Sequence, residues 1–209
     1  MLLLNLRVLS ILLLTAVIGV AVPAIMSPCD VATGTPAETS AAPILQEGAP
    51  PMATPGPEHK FVAGRVGTWN VKNRMRMSPE GPWMEMTAVE TCTLGCGGFW
   101  VFCVYKGNAM GMPFEGRSQM GYDQQKKKFI TTWSDSMSSG LMVMEGTLNK
   151  EKTILSVAGK VFDPGQGKVV TVRAESHYKG PDECVFKMFG PGPDGKEYMH
   201  MNATYTRKK

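Results

Sequence analysis

The sequence predicts an all-β fold, a nine- or ten-stranded antiparallel up-and-down β-barrel with a short N-terminal helix. Three observations predict it. From Thr68 to Thr206 the chain breaks into alternating or continuously apolar runs, punctuated by Gly, Pro, Asn and Asp, with little helical periodicity. The links are short, whereas a parallel crossover needs about a dozen residues or more, so neighbours are antiparallel. Hairpin follows hairpin without a long Greek-key return or an internal repeat, which favours an up-and-down barrel over a sandwich or a propeller.

Taken in order, Pro57–Val66 opens on Pro and Glu58 and has an apolar side in Phe61, Val62 and Val66, which predicts one or two helical turns. Strands are predicted over Thr68–Met77, Met84–Leu94, Phe99–Tyr105, Phe114–Tyr122 and Phe129–Ser136. The second half continues with Leu141–Leu148, Thr153–Phe162, Val169–Tyr178, Cys184–Phe189 and Glu197–Thr206. Turn residues separate them, as in Ser78-Pro79-Glu80-Gly81-Pro82, Asn149-Lys150-Glu151-Lys152 and Gly190–Gly195.

Ahead of this domain, residues 1–24 carry one positive charge at Arg7, an apolar run over Val8–Val22 and small residues around Pro23. The pattern fits a signal peptide or an N-terminal membrane anchor. Residues 25–56 are rich in Pro, Ala and Thr and poor in large apolar side chains, the composition of a disordered linker. The barrel domain is then 57–209, and the expected location is exported, periplasmic or secreted. A membrane association would run only through the N-terminal segment if it stays uncleaved.

The net charge is +4, from 22 basic and 18 acidic residues, and no basic stripe interleaves with aromatics, so nucleic acid is not an expected partner. The 5 cysteines fit no zinc-ligand spacing. If Gly97-Gly98 is a two-residue hairpin loop, Cys92 faces Cys103 and Leu94 faces Val101 across it, at a separation a disulfide bridges in an oxidising compartment. The alternative is two small buried thiols.

Several segments then carry a resemblance. Gly67-Thr68-Trp69, after a helical turn and at the start of the first strand, resembles the opening motif of lipocalins and related calycin barrels. In those barrels the Trp plugs the closed end. A longer series occurs in order: Pro55–Lys60, Val66–Trp69, Gly111-Met112-Pro113-Phe114-Glu115-Gly116, Gly121-Tyr122-Asp123, Thr132-Trp133-Ser134-Asp135-Ser136, Gly190–Glu197 and Tyr205–Lys208. It resembles the bacterial family named domain of unknown function 1579, over almost all of 55–208. The resemblance implies a calycin-like barrel and brings no activity, ligand or catalytic residue with it. The departure is Phe99–Val104, where both strand faces are apolar.

The 16 methionines include Met-x-Met pairs at 75/77, 84/86, 110/112, 142/144 and 199/201. Residues two apart on a strand share a face, so several pairs can point into one lumen, either as core filling or as a pliable pocket. Arg74 and Arg76 alternate with Met75 and Met77, which sets an apolar inside against a charged outside. Thioethers also suit Cu(I). A haem would need one inward histidine. His177, at a strand end near Glu175, is the candidate, while His200 points away from Met199 and Met201. Asp135, Ser136 and Ser138 read as a turn, since no base or nucleophile elbow accompanies them.

The leading expectation is a non-catalytic barrel binding a small, largely apolar molecule, with no catalytic residue and no resident cofactor. Trp69, Met84, Met86, Tyr122, Trp133, Met142 and Met144 are the candidates for lining or plugging the lumen. A cavity above ~300 Å³ lined by them would mark the binder. A packed interior with Trp100 and Phe102 exposed together would mark a structural or protein-interaction module instead. Cu(I) or haem binding is a further alternative.

Overall fold

The computed structural model describes residues 53–209; the leader and nearly all of the linker lie outside the described residues. Helix α1 spans Pro57–Ala63, with Pro at its start, where a missing N–H costs nothing. Ten strands follow: β1 Gly67–Met75, β2 Met84–Gly95, β3 Trp100–Ala109, β4 Met112–Asp123, β5 Lys128–Asp135, β6 Ser138–Leu148, β7 Ile154–Asp163, β8 Lys168–Tyr178, β9 Glu183–Pro191 and β10 Glu197–Arg207.

Each strand pairs antiparallel with the next, and β1 closes on β10 with Trp69 opposite Arg207 and Met75 opposite Met201. The sheet therefore closes on itself, although β6 and β7 pair only over Met144–Leu148 with Leu155–Gly159. The β2–β3 register sets Cys92 opposite Cys103 and Leu94 opposite Val101. Following the pairs around the barrel gives one inner face: odd residues on β1, even on β2, odd on β3, even on β4, and odd again on β5. Val71, Val101, Cys92, Leu155 and Ala203 are among its most enclosed members. Lys72, Glu85, Arg117 and Lys160 alternate with these inner positions and face water. Among the described residues no helix is long and apolar enough to cross a membrane, which says nothing of strands.

Four local expectations change. The helix stops at Ala63, short of Val66. The first strand ends at Met75, and Met77 lies in the following turn, exposed. The β3–β4 hairpin is longer than the pattern indicates, because Met110 and Gly111 both take positive φ and turn the chain in two residues. That carries pairing through Gly107, Asn108 and Pro113, which resemble loop residues in sequence. Phe99 leaves strand β3 for the short 3₁₀ turn Cys96–Gly98, and its ring meets the edge of His59.

The helix end of the barrel is held by its own polar contacts. His59 Nδ1 accepts the Gly56 N–H at 2.9 Å, so Nε2 carries the proton and donates to the Tyr122 carbonyl at 3.0 Å. Thr54, assigned to the linker by composition, takes a hydrogen bond on its carbonyl from the Gln124 side chain at 3.3 Å.

On the outer wall, Trp100 lies flat over Gly121, where a Cβ would stand 2.5 Å from the indole, and Phe102 lies over Gly95 in the same way. Both aromatics are half-buried rather than jointly exposed. The apolar outer face of Phe99–Val104 is thus partly spent on covering two side-chain-free stretches of the neighbouring strands.

Candidate functional site

Trp69 is almost fully enclosed, at 2 % exposure, and sits under the helix end of the barrel. Its indole N–H donates to the Arg65 carbonyl at 2.9 Å. The Arg207 guanidinium lies 4.2 Å from its ring centroid and also donates to the carbonyls of Val66 and Gly64, at 2.7 and 2.8 Å. The last strand is thereby clasped to the segment that leads into the first.

Beside Trp69, the Arg65 side chain turns inward. It forms an ion pair with Glu90 and stacks over Tyr205 at 4.7 Å. Burial pushes the Glu90 carboxyl up from the ordinary range, against the pull of Arg65. Burial is the largest influence on Arg65 and works against its charge, but Glu90 together with Tyr205, Tyr178 and Cys184 outweighs it and holds the guanidinium above its usual value. Burial pushes the phenols of Tyr178 and Tyr205 far up, and the Cys184 thiol up to about 11. All three stay protonated at neutral pH, and Cys184 is an inert thiol.

This polar group forms one end of a partly open cavity of about 130 Å³. Its walls include Val101, Met144, Leu155, Val157 and Trp133, with Ser118, Thr131 and Ser176 set among them. Thr131 Oγ1 is buried without a hydrogen-bond partner. Trp133 is fixed by its N–H, which donates to Asp135 Oδ2 at 2.8 Å, while Asp135 Oδ1 accepts the N–H groups of Met137 and Ser138. A Cβ at Gly116 would stand 2.3 Å from the same indole, so only glycine lets the ring lie across β4. Phe114 and Tyr105 pack on its other sides.

Of the seven lining candidates, Trp133 and Met144 bound this cavity. Trp69 is not among its lining residues. Met84, Met86 and Met142 share the inner face but are not among the cavity's lining residues. Tyr122 also points inward. It lines a separate groove of about 280 Å³ between α1 and the β4–β5 and β6–β7 turns, together with Phe61, Phe129 and Leu148. The polar residues of the lumen, Arg65, Glu90, Ser118, Thr131, Ser176, Tyr178 and Tyr205, are absent from the sequence reading. Register was the available signal for most of them: once Cys92 faces inward, Glu90 two residues earlier does too.

Cys92 and Cys103 are joined by a disulfide across β2 and β3, with Cα atoms 4.1 Å apart. Glu90 Oε2 lies 3.5 Å from Cys92 Sγ. These three residues could gather around a metal ion, but with the sulfurs bonded to each other no thiolate is available.

His177 does not face the lumen: it lies on the outer wall, hydrogen-bonded to Glu175 at 2.8 Å, and gives no axial ligand to a haem inside. His200 corrects the expectation in the other direction. A β-bulge shifts the β9–β10 register from Met199–Phe189 to Met201–Met188 and leaves His200 as the extra residue. Met199 and Met201 therefore fall on opposite faces. The His200 ring turns toward Gly190 and Val172 on the inner side, 3.4 Å from where a Gly190 Cβ would stand. Burial lowers its pKa, with Asp163 acting against that shift.

The architecture is similar to that of Rv2717c from M. tuberculosis, at 13% identity and a TM-score of 0.55, over 74% of this chain and 99% of that one. It is also similar to the S-type phycobiliprotein lyase CPES from Guillardia theta, at 14% identity and a TM-score of 0.51, over 72% of this chain and 92% of that one. No curated protein matches the chain. The model of the protein family of unknown function DUF1579 matches residues 54–207, with the clasped Trp69, the Trp133 wall and the whole barrel inside that span, and the chain belongs to this family.

Proposed function

We propose that the barrel is a calycin-like, non-catalytic module that binds one small, mainly apolar molecule bearing a single polar group. The observation that carries this is the cavity of about 130 Å³, with a wall of Val101, Met144, Leu155 and Val157 and the unpartnered Thr131 hydroxyl set into it. An apolar cavity of about 150 Å³ accepts a benzene ring, so the guest is on the scale of one ring, not of a porphyrin or a long lipid. The cavity is smaller than the ~300 Å³ expected of a binder from the sequence, and two of the seven expected residues line it, so the proposal is restricted to a guest smaller than the ligands of ordinary pockets, which run to roughly 300–1,000 Å³. A hydroxyl or carbonyl on the guest would satisfy Thr131. The likeness to a phycobiliprotein lyase is one of fold, and the proposal rests on the lumen itself. The leader and linker read from the sequence add that the barrel works after export.

Native mass spectrometry of protein purified from its own host tests this together with thermal shifts from benzene, phenol and indole. A retained small molecule, or a rise in Tm with phenol, supports it. Saturation at about 100 times Kd would add about 2.7 kcal/mol of stability. Met144→Trp, which fills the space, should abolish the shift, and Thr131→Val should weaken phenol more than benzene. No retained molecule and no shift from any probe at millimolar concentration would overturn it.

One observation favours a second reading. Met84, Met75, Met201 and Met188 occupy successive cross-strand positions in a single inner row. Four adjacent thioethers are a soft donor set for Cu(I). A titration with Cu(I) under reducing conditions that leaves Tm unmoved would dispose of it.

A further inference from the structure

The turns of an up-and-down barrel fall alternately at its two ends, and here the ends differ in polarity. At the helix end, the β4–β5, β6–β7 and β8–β9 turns hold Lys126, Lys127, Lys150, Lys152 and Lys179. At the far end, the five turns hold one lysine, Lys196. Exposed apolar side chains are more numerous there: Met77 on the β1–β2 turn, Met110 on β3–β4, Met137 and Leu141 around β5–β6, and the facing pair Phe162 and Val169 beside β7–β8, against Val66 and Leu94 at the helix end. Met77 is 75% exposed, Met110 64% and Phe162 63%, well beyond what a packed rim leaves to water.

A second observation says what fits this rim. Just behind the tips, the guanidinium groups of Arg74 and Arg76 lie 4.8 and 4.7 Å from the Trp83 ring, and Arg76 also lies 5.5 Å from the ring of Tyr198. Apolar tips backed by Trp, Tyr and Arg are the order of side chains found where a protein meets the boundary between lipid tails and headgroups. The side wall beyond carries Lys72, Glu85, Arg117 and Lys160, so entry would stop at the rim. The apolar groups also stand on four separate hairpins around a circle. A deformable surface meets such a ring more readily than a flat protein face does.

We propose that the far end of the barrel docks on a lipid bilayer, with the hairpin tips in the outer edge of the acyl region and Trp83 and Tyr198 at headgroup level. The docking does not depend on the lumen holding a ligand. The test uses the full chain and phosphatidylcholine vesicles, with or without bromine on the upper acyl chain, and reads tryptophan quenching. Brominated vesicles should quench the wild type equally at low and high salt, because the contact is apolar. Trp83→Phe should remove most of the quenching. A Met110→Ser, Met137→Ser, Leu141→Ser triple variant should lower it at least about fivefold at unchanged Tm, since these side chains are exposed. A Lys127→Ser, Lys150→Ser, Lys152→Ser variant should keep it. The proposal is overturned by an unquenched wild type, by quenching that the triple variant retains, or by loss in the lysine variant alone. Lipid-free self-association that the triple variant abolishes, in a chain that vesicles do not quench, would assign the rim to a second copy and overturn it equally.

Discussion

Arg65 holds Trp69 by both ends of its own residue: its carbonyl accepts the indole N–H at 2.9 Å, and its guanidinium lies 4.8 Å from the ring centroid. The same guanidinium reaches Glu90, which is 25 residues away along the chain. One residue therefore links the segment after the helix, the Trp69 indole and the polar end of the lumen.

Removing either partner should be costly for different reasons. Trp69→Ala leaves a large void at a fully packed site and should cost about 3–5 kcal/mol, with Trp69→Phe milder because most of the volume is kept. Arg65→Met leaves the Glu90 carboxylate buried and unpaired and should cost roughly 3–5 kcal/mol, whereas Arg65→Met with Glu90→Leu should recover most of that loss. Urea unfolding of the two single variants and the pair, analysed as a cycle, checks this. A pair as unstable as Arg65→Met alone would refute the account.

The Cys92–Cys103 disulfide closes a loop with a sequence separation of 11. A loop of this length should contribute about 2–3 kcal/mol by restricting the unfolded chain. Replacing both cysteines with Ala should lower the urea midpoint accordingly while leaving the far-UV circular dichroism unchanged, since the hairpin register is also fixed by its neighbours in the closed barrel.

His200 predicts the response to acid. Burial lowers its folded pKa below the ordinary value of 6.5. The unfolded chain then takes up the proton first as pH falls. The stability contribution is fully present above the unfolded pKa, declines below about 6.5, and levels off once the folded pKa is passed. Melting temperature measured from pH 7.5 to 5 should fall, and His200→Gln should flatten that part of the curve. Glu90, whose carboxyl burial holds up, takes its proton in the folded state before the unfolded chain does and acts with the opposite sign, in wild type and variant alike, so the histidine's part is the difference between the two curves. Glu175, which His177 and Arg173 hold below the usual carboxylate range, acts in a separate window under pH 4.5.

How much of this was legible in the sequence varies residue by residue. Trp69 could be placed because a Gly-x-Trp after a helical turn marks where the first strand begins. The facing of Cys92 and Cys103 followed from two glycines and simple counting. The lining set was read less well. Met84, Met86 and Met142 share the correct face with Met144, but alternation says which side a residue takes and not how high in the barrel it sits. Arg65 was missed because a charged residue just ahead of a strand reads as surface, and Glu90 because a carboxylate within an alternating strand reads as facing water.

Side-chain alternation and turn chemistry act over a few residues, so the amino-acid order was enough for the strand segments, nine or ten of them, their antiparallel succession and most of their inner faces. The size of the cavity, its polar end, the inward turn of His200 at its bulge, and the contrast between a lysine-bearing end and an apolar one emerge from the folded barrel. Those features depend on the stagger between strands and on the closure of β1 against β10, which bring together residues as far apart as Val66 and Arg207, 141 positions along the chain.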